Sequence, residues 1–452
     1  MRQCTDTILM VRPSRFGYNS ETADSNVFQS QSTQNGISEK ALQEFDMMVS
    51  RLKNENVRVL TINDIPEFET PDAVFPNNWV SMHADGKVIT YPMFAPNRRL
   101  ERRADLQEIL VDSHGFQVRE MIDLSEWESQ NEFLEGTGSM IFDHLNRKAF
   151  MARSIRSSEK TLESVCNWIG YEPIVFNTNT YNGQPIYHTN VLLSIGEKFA
   201  VVCLSAVAED EQSVLMESLE QTGRNVIEIS ETQMFSFAGN LLEIRNHRRD
   251  PFIVLSNSAI ESLHKNQIKS LEQYASLLPM EIPTIESIGG GSVRCMIAEI
   301  FLPMIQDQIN IRQVTSEQDL EKCFQLRFEV LRKPWNQPVG SERDDTDMQS
   351  WHFLAETNGG KAVATARLHA IDATTCQIRY MAVADEYQGK GIGMELISAV
   401  EQVGKAKGLK RVFLQARENA VPFYLAAGYK VIEETFLLFG EIRHFSMEKA
   451  LY

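Results

Sequence analysis

A chain of 452 residues, 43% hydrophobic and 23% charged, exceeds one ordinary core and is expected to form two or three globular domains. Its net charge of −17 works against nucleic-acid binding, and no apolar run approaches the ~20 residues that span a bilayer. The six cysteines (4, 166, 203, 295, 323 and 376) show no CxxC pair and no regular spacing, so reduced thiols in the cytoplasm are expected rather than a disulfide framework or a zinc site.

Along the chain, the N-terminus offers only four apolar residues, Ile8 to Val11, before Arg12 and Pro13, too short for a secretory signal. Short apolar strands are then predicted at "TILMVR", "VRVLTI", "KVITYPM", "SMIFD", "KAFMA", "VLLSI", "FAVVCL" and "FIVLS". They alternate with amphipathic helices such as "SEKALQEFDMMVSRLKNE". That alternation predicts α/β modules. No internal repeat is evident.

Four islands break the pattern. "TPDAVFPNNWVSMH" sets Asn77 and Asn78 between a proline and a tryptophan, and "FLEGTGSMIFD" sets Glu135 before a Gly-Thr-Gly turn. "IYHTNVLLSIG" places His188 and Asn190 two apart at the head of an apolar strand, hence on one face. "GGGSVRCMIAEIFLP" leads through three glycines into Arg294 and Cys295, at the start of a core strand. A cysteine there is either a packing residue, as free cysteines commonly are, or a nucleophile. The nucleophile needs a neighbouring cation and a loop that lets substrate approach. A glutamate, a histidine and a cysteine at strand edges are the parts of an activated-thiol site, and taken together they favour the nucleophile. Cys203, in an apolar run, and Cys323, on a helix stripe, read as core.

This order of islands resembles the guanidine-modifying superfamily of arginine deiminases, dimethylarginine dimethylaminohydrolases and amidinotransferases, and in particular its citrulline utilization hydrolase branch. The resemblance runs over about residues 5–304. It implies a fivefold α/β propeller, the pentein fold, whose loops converge on a substrate tunnel. It implies that Cys295 attacks the planar carbon, that His188 is the acid/base, and that Glu135 grips substrate nitrogen and orients the histidine. Arg156 falls where relatives hold the substrate α-carboxylate. Arginine deiminases carry aspartates where this chain has Asn78 and Asn190. A buried guanidinium without carboxylates costs on the order of 3–5 kcal/mol, whereas amide side chains suit a neutral ureido group. The expected substrate is therefore a ureido amino acid such as citrulline. Asp72, if it turns into the site with Glu135, readmits a guanidinium. A methylarginine hydrolase, an amidinotransferase and a metabolite-sensing domain stay open.

A boundary is expected near residues 305–310: domains 1–305 and 311–452, with 306–310 as a linker. Beyond it, "INIRQV" reads as a strand, followed by a helix capped by Thr315 or Ser316 with Leu320, Cys323, Leu326 and Val330 inward. In "IRYMAVADEYQGKGIGMELISAVEQV" a strand ends near Val383, and a glycine-rich turn opens a helix with an apolar stripe of Met394, Leu396, Ile397 and Val400. Exposed N–H groups at such a helix start suit a pyrophosphate. Gln388, Gly389, Gly391 and Gly393, with Asn419, Phe423, Tyr424, Gly428 and Tyr429 in "ENAVPFYLAAGY", resemble the GNAT N-acetyltransferase family. The resemblance implies acetyl-CoA, with main-chain groups at Met381 and Val383 on the pantetheine arm. Asn419 belongs to that cofactor site, and Tyr424 is the general acid. His352 and His444 are candidate bases, and the acidic run "SERDDTDMQ" is either a solvated loop or an attractor for a cationic amine. The expected partners are a citrulline- or arginine-like amino acid and an amine acceptor, without nucleic acid, membrane or metal. Homo-oligomerisation is left open.

Overall fold

Fully buried strands need apolar residues on both faces, and "AFMA", "FAVV" and "IVL" meet that demand. The strands that contain them, Lys148–Ala152, Phe199–Val202 and Pro251–Ser256, each occupy the middle of a three-stranded sheet. Lys87–Thr90 and Thr7–Arg12 do the same. The computed structural model describes residues 2–32, 36–181, 184–305 and 309–451. The chain divides into two compact units, residues 1–305 and 306–452. Of the expected linker, residues 306–308 lie outside the described residues, and Ile309 already begins a strand.

The first unit holds five sheets of one plan. A short strand pairs antiparallel with the middle strand, which pairs parallel with a third strand reached through a helical crossover. In four sheets the short strand comes just before the middle one, as at Val80–Met82, Met140–Asp143, Leu193–Ile195 and Leu242–Arg245. In the fifth it comes from the end of the unit. Ala298–Glu299 pairs with Thr7–Arg12, so the last strand joins the first and completes the set of five. This matches the five-module pentein plan and corrects the reading that no repeat exists. The repeat is structural, with divergent side chains and crossovers of different length.

That plan positions the site. The segment entering each short strand is a tight turn or one turn of helix: Pro76–Asn78, Gly136–Ser139, Thr189–Val191, the turn at Phe237–Asn240 and the turn at Ser292–Cys295. Backbones meet closely there. A Cβ at Gly136 would lie 2.2 Å from the Asn77 carbonyl oxygen, and one at Gly239 would lie 2.3 Å from that of Val191.

The second unit is one seven-stranded sheet in the order 309–313, 351–357, 362–370, 375–383, 411–417, 442–450, 430–438. Only Thr375–Val383 and Arg411–Arg417 pair in parallel, from Thr375/Arg411 to Ile378/Leu414. Ser316 caps the helix Glu317–Leu331 through the Asp319 N–H. The unit has its own core, including Phe353, Leu368, Leu396, Val400, Val412 and Met447. Among the described residues no helix is long and apolar enough to cross a membrane.

Candidate active site

The five entry segments of the first unit deliver Asn78, Glu135, His188 with Asn190, Asn240 and Cys295. Cys295 lies in a turn, with its N–H on the Ser292 carbonyl at 3.0 Å, rather than in the predicted strand. Only Ala298 and Glu299 are extended after it, because the short strand is needed only to pair with Thr7–Arg12. Its sulfur accepts from Asn190 Nδ2 at 3.3 Å and from Asn240 Nδ2 at 3.4 Å. Burial raises the thiol pKa, while the Ser292 backbone hydrogen bond, Asn240, Asn190 and then Arg294 oppose the rise. The neighbouring cation is thus the weakest of these influences, and Arg294 itself approaches Glu299 at 3.8 Å.

Glu135 is wholly buried and accepts from Phe94 N at 3.1 Å, while its Oε2 lies 2.8 Å from His188 Nε2. Burial pushes its carboxyl up, but Arg156, His188 and Arg98 outweigh that and hold it well below the carboxylate range. An ionised carboxylate only accepts, so His188 carries its proton on Nε2 and presents Nδ1 as an acceptor. Burial lowers the His188 pKa to about 4, against the opposing pull of Glu135, and the ring is neutral at pH 7.

A narrow cavity of about 10 Å³ runs past Asp72, Asn78, Arg98, Arg156, His188 and Cys295. Asp72 does turn into it, with Oδ2 held by Asn19 at 2.7 Å and Oδ1 buried without a protein partner. Burial raises the Asp72 pKa, with Arg98 opposing. Asn78 Nδ2, Asn190 Oδ1 and both polar atoms of the Asn77 side chain are likewise buried and unpartnered. Buried amides normally find partners, so this concentration marks a site built for a polar ligand. Arg156 is occupied by Glu135 at 3.5 Å, the Thr22 carbonyl at 3.2 Å and Ser25, and its guanidinium stacks 4.8 Å from the Tyr187 ring.

Two readings change. His188 and Asn190 do not share a strand face: Thr189–Val191 is a 3-10 turn, yet both side chains reach the site. Of the three glycines, Gly289 and Gly291 make room for the Phe75 ring, whose atoms would stand 2.9 and 2.8 Å from an added Cβ. Gly290 takes φ +66° against Asn26, so the loop is packed rather than open. Sequence reasoning also missed Arg98 and Asn240. Arg98 is buried, grips both oxygens of Glu101 (2.9 and 3.0 Å), and donates to Asn78 Oδ1 at 2.8 Å. Burial, with the nearby Asp72 and Glu135 adding to it, lifts Glu101 to about 8 despite Arg98. A signal for Asn240 exists in the recurrence of asparagine ahead of an apolar strand in "NNWVSM", "TNVLLSI" and "GNLLEIR".

All six cysteines are free and buried. Among the described residues, Cys4, Glu197 and Glu243 form the single group with metal-ligand proximity. Arg245 already contacts both of its carboxylates, at 2.6 and 3.8 Å.

In the second unit the parallel strands part after Ile378 and Leu414. Tyr380 takes φ +51°, and the register opposite Thr365–Arg367 shifts there. Met381 and Val383 lie on the diverged stretch. The Tyr424 hydroxyl meets Met381 Sδ at 3.7 Å, and burial raises its pKa to about 12. Gln388 Nε2 donates to the Val383 carbonyl and to Asp385, both at 3.0 Å. Gly389 and Gly391 have φ +73° and +85°, with nothing within 4 Å of an added Cβ. They form an open cradle at the start of the 15-residue helix Ile392–Ala406. That cradle fits the pyrophosphate of an acyl-CoA. Gly393 instead packs on Phe423, at 3.3 Å from an added Cβ. Asn419 is exposed on the turn before Tyr424.

Other expectations here need correction. Met394 is 38% exposed, because it sits roughly 200° around the helix from the buried Ile392. The acidic run is solvated only in part: Asp345 is exposed, whereas Asp344 and Asp347 are engaged. Asp347 holds Arg327 (2.8 Å) and Arg367 (2.7 Å), and Asp344 holds Arg367 and Arg379. Arg327 and Arg367 are fully buried and require those counter-charges. His352 accepts from Arg327 on Nδ1 and donates from Nε2 to the Asp347 carbonyl, both at 2.8 Å, so it is structural. His444 donates from Nδ1 to the Ile442 carbonyl at 3.0 Å and stacks on Phe436, which leaves Nε2 as an acceptor.

Comparison with known proteins gives two family matches: "N,N dimethylarginine dimethylhydrolase, eukaryotic" over residues 12–302 and "Acetyltransferase (GNAT) family" over residues 319–429. The uncharacterized N-acetyltransferase YjcF of Bacillus subtilis (strain 168) is 30% identical over 134 residues, 30% of this chain and 94% of that protein. The N-terminal domain of ArgZ, an arginine dihydrolase of Cyanobacteria, shares the fold (TM-score 0.51, 16% identity, 66% of this chain and 98% of that one). Unliganded AgrE does too, at TM-score 0.53 and 13% identity over 72% of this chain and 45% of that one.

Proposed function

The chain belongs to the N,N dimethylarginine dimethylhydrolase family through its first unit and to the GNAT acetyltransferase family through its second, and from that premise we propose a thiol-dependent hydrolase for the guanidino carbon of an arginine-like amino acid, joined to an acetyl-CoA-dependent N-acetyltransferase. The observation that carries the substrate reading is the buried, unpartnered Oδ1 of Asp72 at the cavity wall, opposite the amide-ringed sulfur of Cys295. A guanidinium N–H satisfies that oxygen, and its charge offsets the burial that disfavours both the carboxylate and the thiolate.

Neutral His188, its Nε2–H fixed on Glu135, takes the thiol proton on Nδ1. The sulfur bonds to the planar carbon, the C–N bond to the departing amine breaks, and His188 returns the proton to that amine. Water, deprotonated by the same ring, then breaks the C–S bond and leaves a ureido product. Asn190 and Asn240, both donating to the sulfur, stabilise it as an anion. Arg98 and Arg156 keep Glu135 ionised, and Arg156 is the candidate for the substrate α-carboxylate once its contacts to Thr22 and Ser25 rearrange.

A second reading, hydrolysis of a ureido amino acid such as citrulline, is favoured by the unpartnered Nδ2 of Asn78, a donor that a ureido oxygen accepts from and that a guanidinium, itself only a donor, cannot use. The two separate on one variant. With arginine, N,N-dimethylarginine and citrulline as substrates, Asp72→Asn is expected to lower kcat/KM for the cationic pair by roughly 100-fold or more and to spare citrulline. Equal loss on all three, or turnover of citrulline alone by the native protein, overturns the guanidino assignment.

In the second unit the Gly389–Gly391 cradle and the diverged Met381–Val383 backbone would hold acetyl-CoA, which supplies an activated acyl group when bound. Tyr424, kept protonated at neutral pH by its burial, would give its proton to the departing sulfur.

A further inference from the structure

The second unit contains nine arginines between residues 309 and 451, and seven of them have a carboxylate within 4 Å. Among the described residues the exceptions are Arg332 and Arg417, and these two are neighbours. Arg332 Nη1 and Arg417 Nη2 donate to one oxygen, the Leu331 carbonyl, at 3.2 and 3.0 Å. Both residues are half-buried, and Arg332 Nε also donates to the Ser341 carbonyl at 2.9 Å. Arg332 lies 5.4 Å from the Tyr380 ring and 5.6 Å from Phe439, and Arg417 lies 5.9 Å from Trp335. Burial, and then the charge of Arg332, lowers the Arg417 pKa. Glu418, next in sequence, is turned away to Arg443 at 2.9 Å. Two adjacent, partly desolvated cations without a counter-ion are unfavourable unless an anion joins them.

Their place indicates which anion. Arg417 ends the strand that parts from Thr375–Val383, and in the sheet register it stands opposite His444. Tyr380, beneath Arg332, directly precedes Met381, whose sulfur meets Tyr424. The pair therefore borders the reacting end of the cleft. The glycine cradle for the pyrophosphate begins eight residues further along, at Gln388–Gly391.

We propose that Arg332 and Arg417 form a carboxylate site for the acyl acceptor, so that the acceptor is a free amino acid rather than a simple amine or a protein lysine. This rests on reading the second unit as an acyl-CoA-dependent N-acetyltransferase. It leaves Asp344 and Asp347 of the acidic run out of acceptor binding, since Arg327, Arg367 and Arg379 hold them. A carboxylate gripped by both guanidinium groups brings its amine to the mouth between the parted strands, where His444 Nε2 is the acceptor available for the amine proton.

The test uses the full chain with L-ornithine and its decarboxylated counterpart putrescine as acceptors, and measures acetyl-CoA affinity by calorimetry alongside. The native protein is expected to favour ornithine in kcat/KM. The double variant Arg332→Gln/Arg417→Gln is expected to reduce the ornithine-to-putrescine ratio at least tenfold with acetyl-CoA affinity unchanged, and Arg417→Lys is expected to restore part of the preference. An unchanged ratio, a native preference for putrescine, or native protein that binds acetyl-CoA but acetylates neither probe overturns the proposal. So does a matching fall in acetyl-CoA affinity, which assigns the pair to a cofactor phosphate. Native protein that binds no acetyl-CoA overturns the acetyltransferase reading itself.

Discussion

A methyl group at position 138 would stand 2.3 Å from Asn78 Nδ2 and 2.8 Å from His188 Nδ1. Gly138 has no left-handed backbone to strain, so Gly138→Ala is expected to act through displaced side chains. Hydrolysis should fall about 100-fold while the circular dichroism spectrum and acetyl transfer stay at native values; native hydrolysis rates would refute the tight packing. Cys295→Ala should remove hydrolysis altogether and leave acetyl transfer intact, measured on the same preparation. At this scale Cys295, His188 and Glu135 were legible because each is a reactive type beside an uncommon neighbour. Arg98 was not. It stands in "PNRRLERRAD", where four arginines look alike and only burial against Glu101 and Asn78 separates one from the rest.

Elements bring such residues together through turns rather than through strands. Strand positions were readable from apolar runs, but the 3-10 turn at Thr189–Val191 and the turn at Ser292–Cys295 were not, since their shape answers to neighbouring loops. The turn after the strand Met140–Asp143 carries His144, whose Nδ1 lies 2.7 Å from the Tyr171 hydroxyl. Burial, with His83 adding to it, lowers its pKa to about 3. The ordinary value near 6.5 applies to the unfolded chain, so the unfolded state binds the extra proton between these limits. The stabilisation from this neutral ring is complete above pH 6.5 and declines as pH falls towards 3. Its share of the stability slope is at most about 1.4 kcal/mol per pH unit. Denaturant unfolding of His144→Phe between pH 4 and 6 should show a slope shallower by about that amount; an identical slope would mean that the ring is charged in the folded protein.

For the molecule as a whole, the Phe353–Leu396–Met447 core belongs to residues 309–451, while the remaining core clusters belong to the first unit. Calorimetric unfolding is therefore expected to show two transitions. Acetyl-CoA at 100 times its Kd should stabilise one of them by about 2.7 kcal/mol and leave the other in place. A single transition that moves as a unit would show that the two parts unfold together.

What the chain's own letters determined were local matters: apolar runs of strand length, the glycines before the helix at Ile392, and the reactive types at positions 135, 188, 295 and 424. Period, propensity and chemical identity are properties of short stretches, so they survive without a fold. Tertiary structure alone decided that Asp72 faces the cavity, that Arg98 is internal, that Asp344 and Asp347 fold back onto arginines, and that Arg332 and Arg417 stand together without a carboxylate among the described residues. Each of these depends on which charges are buried side by side, and desolvation acts between residues far apart in the chain.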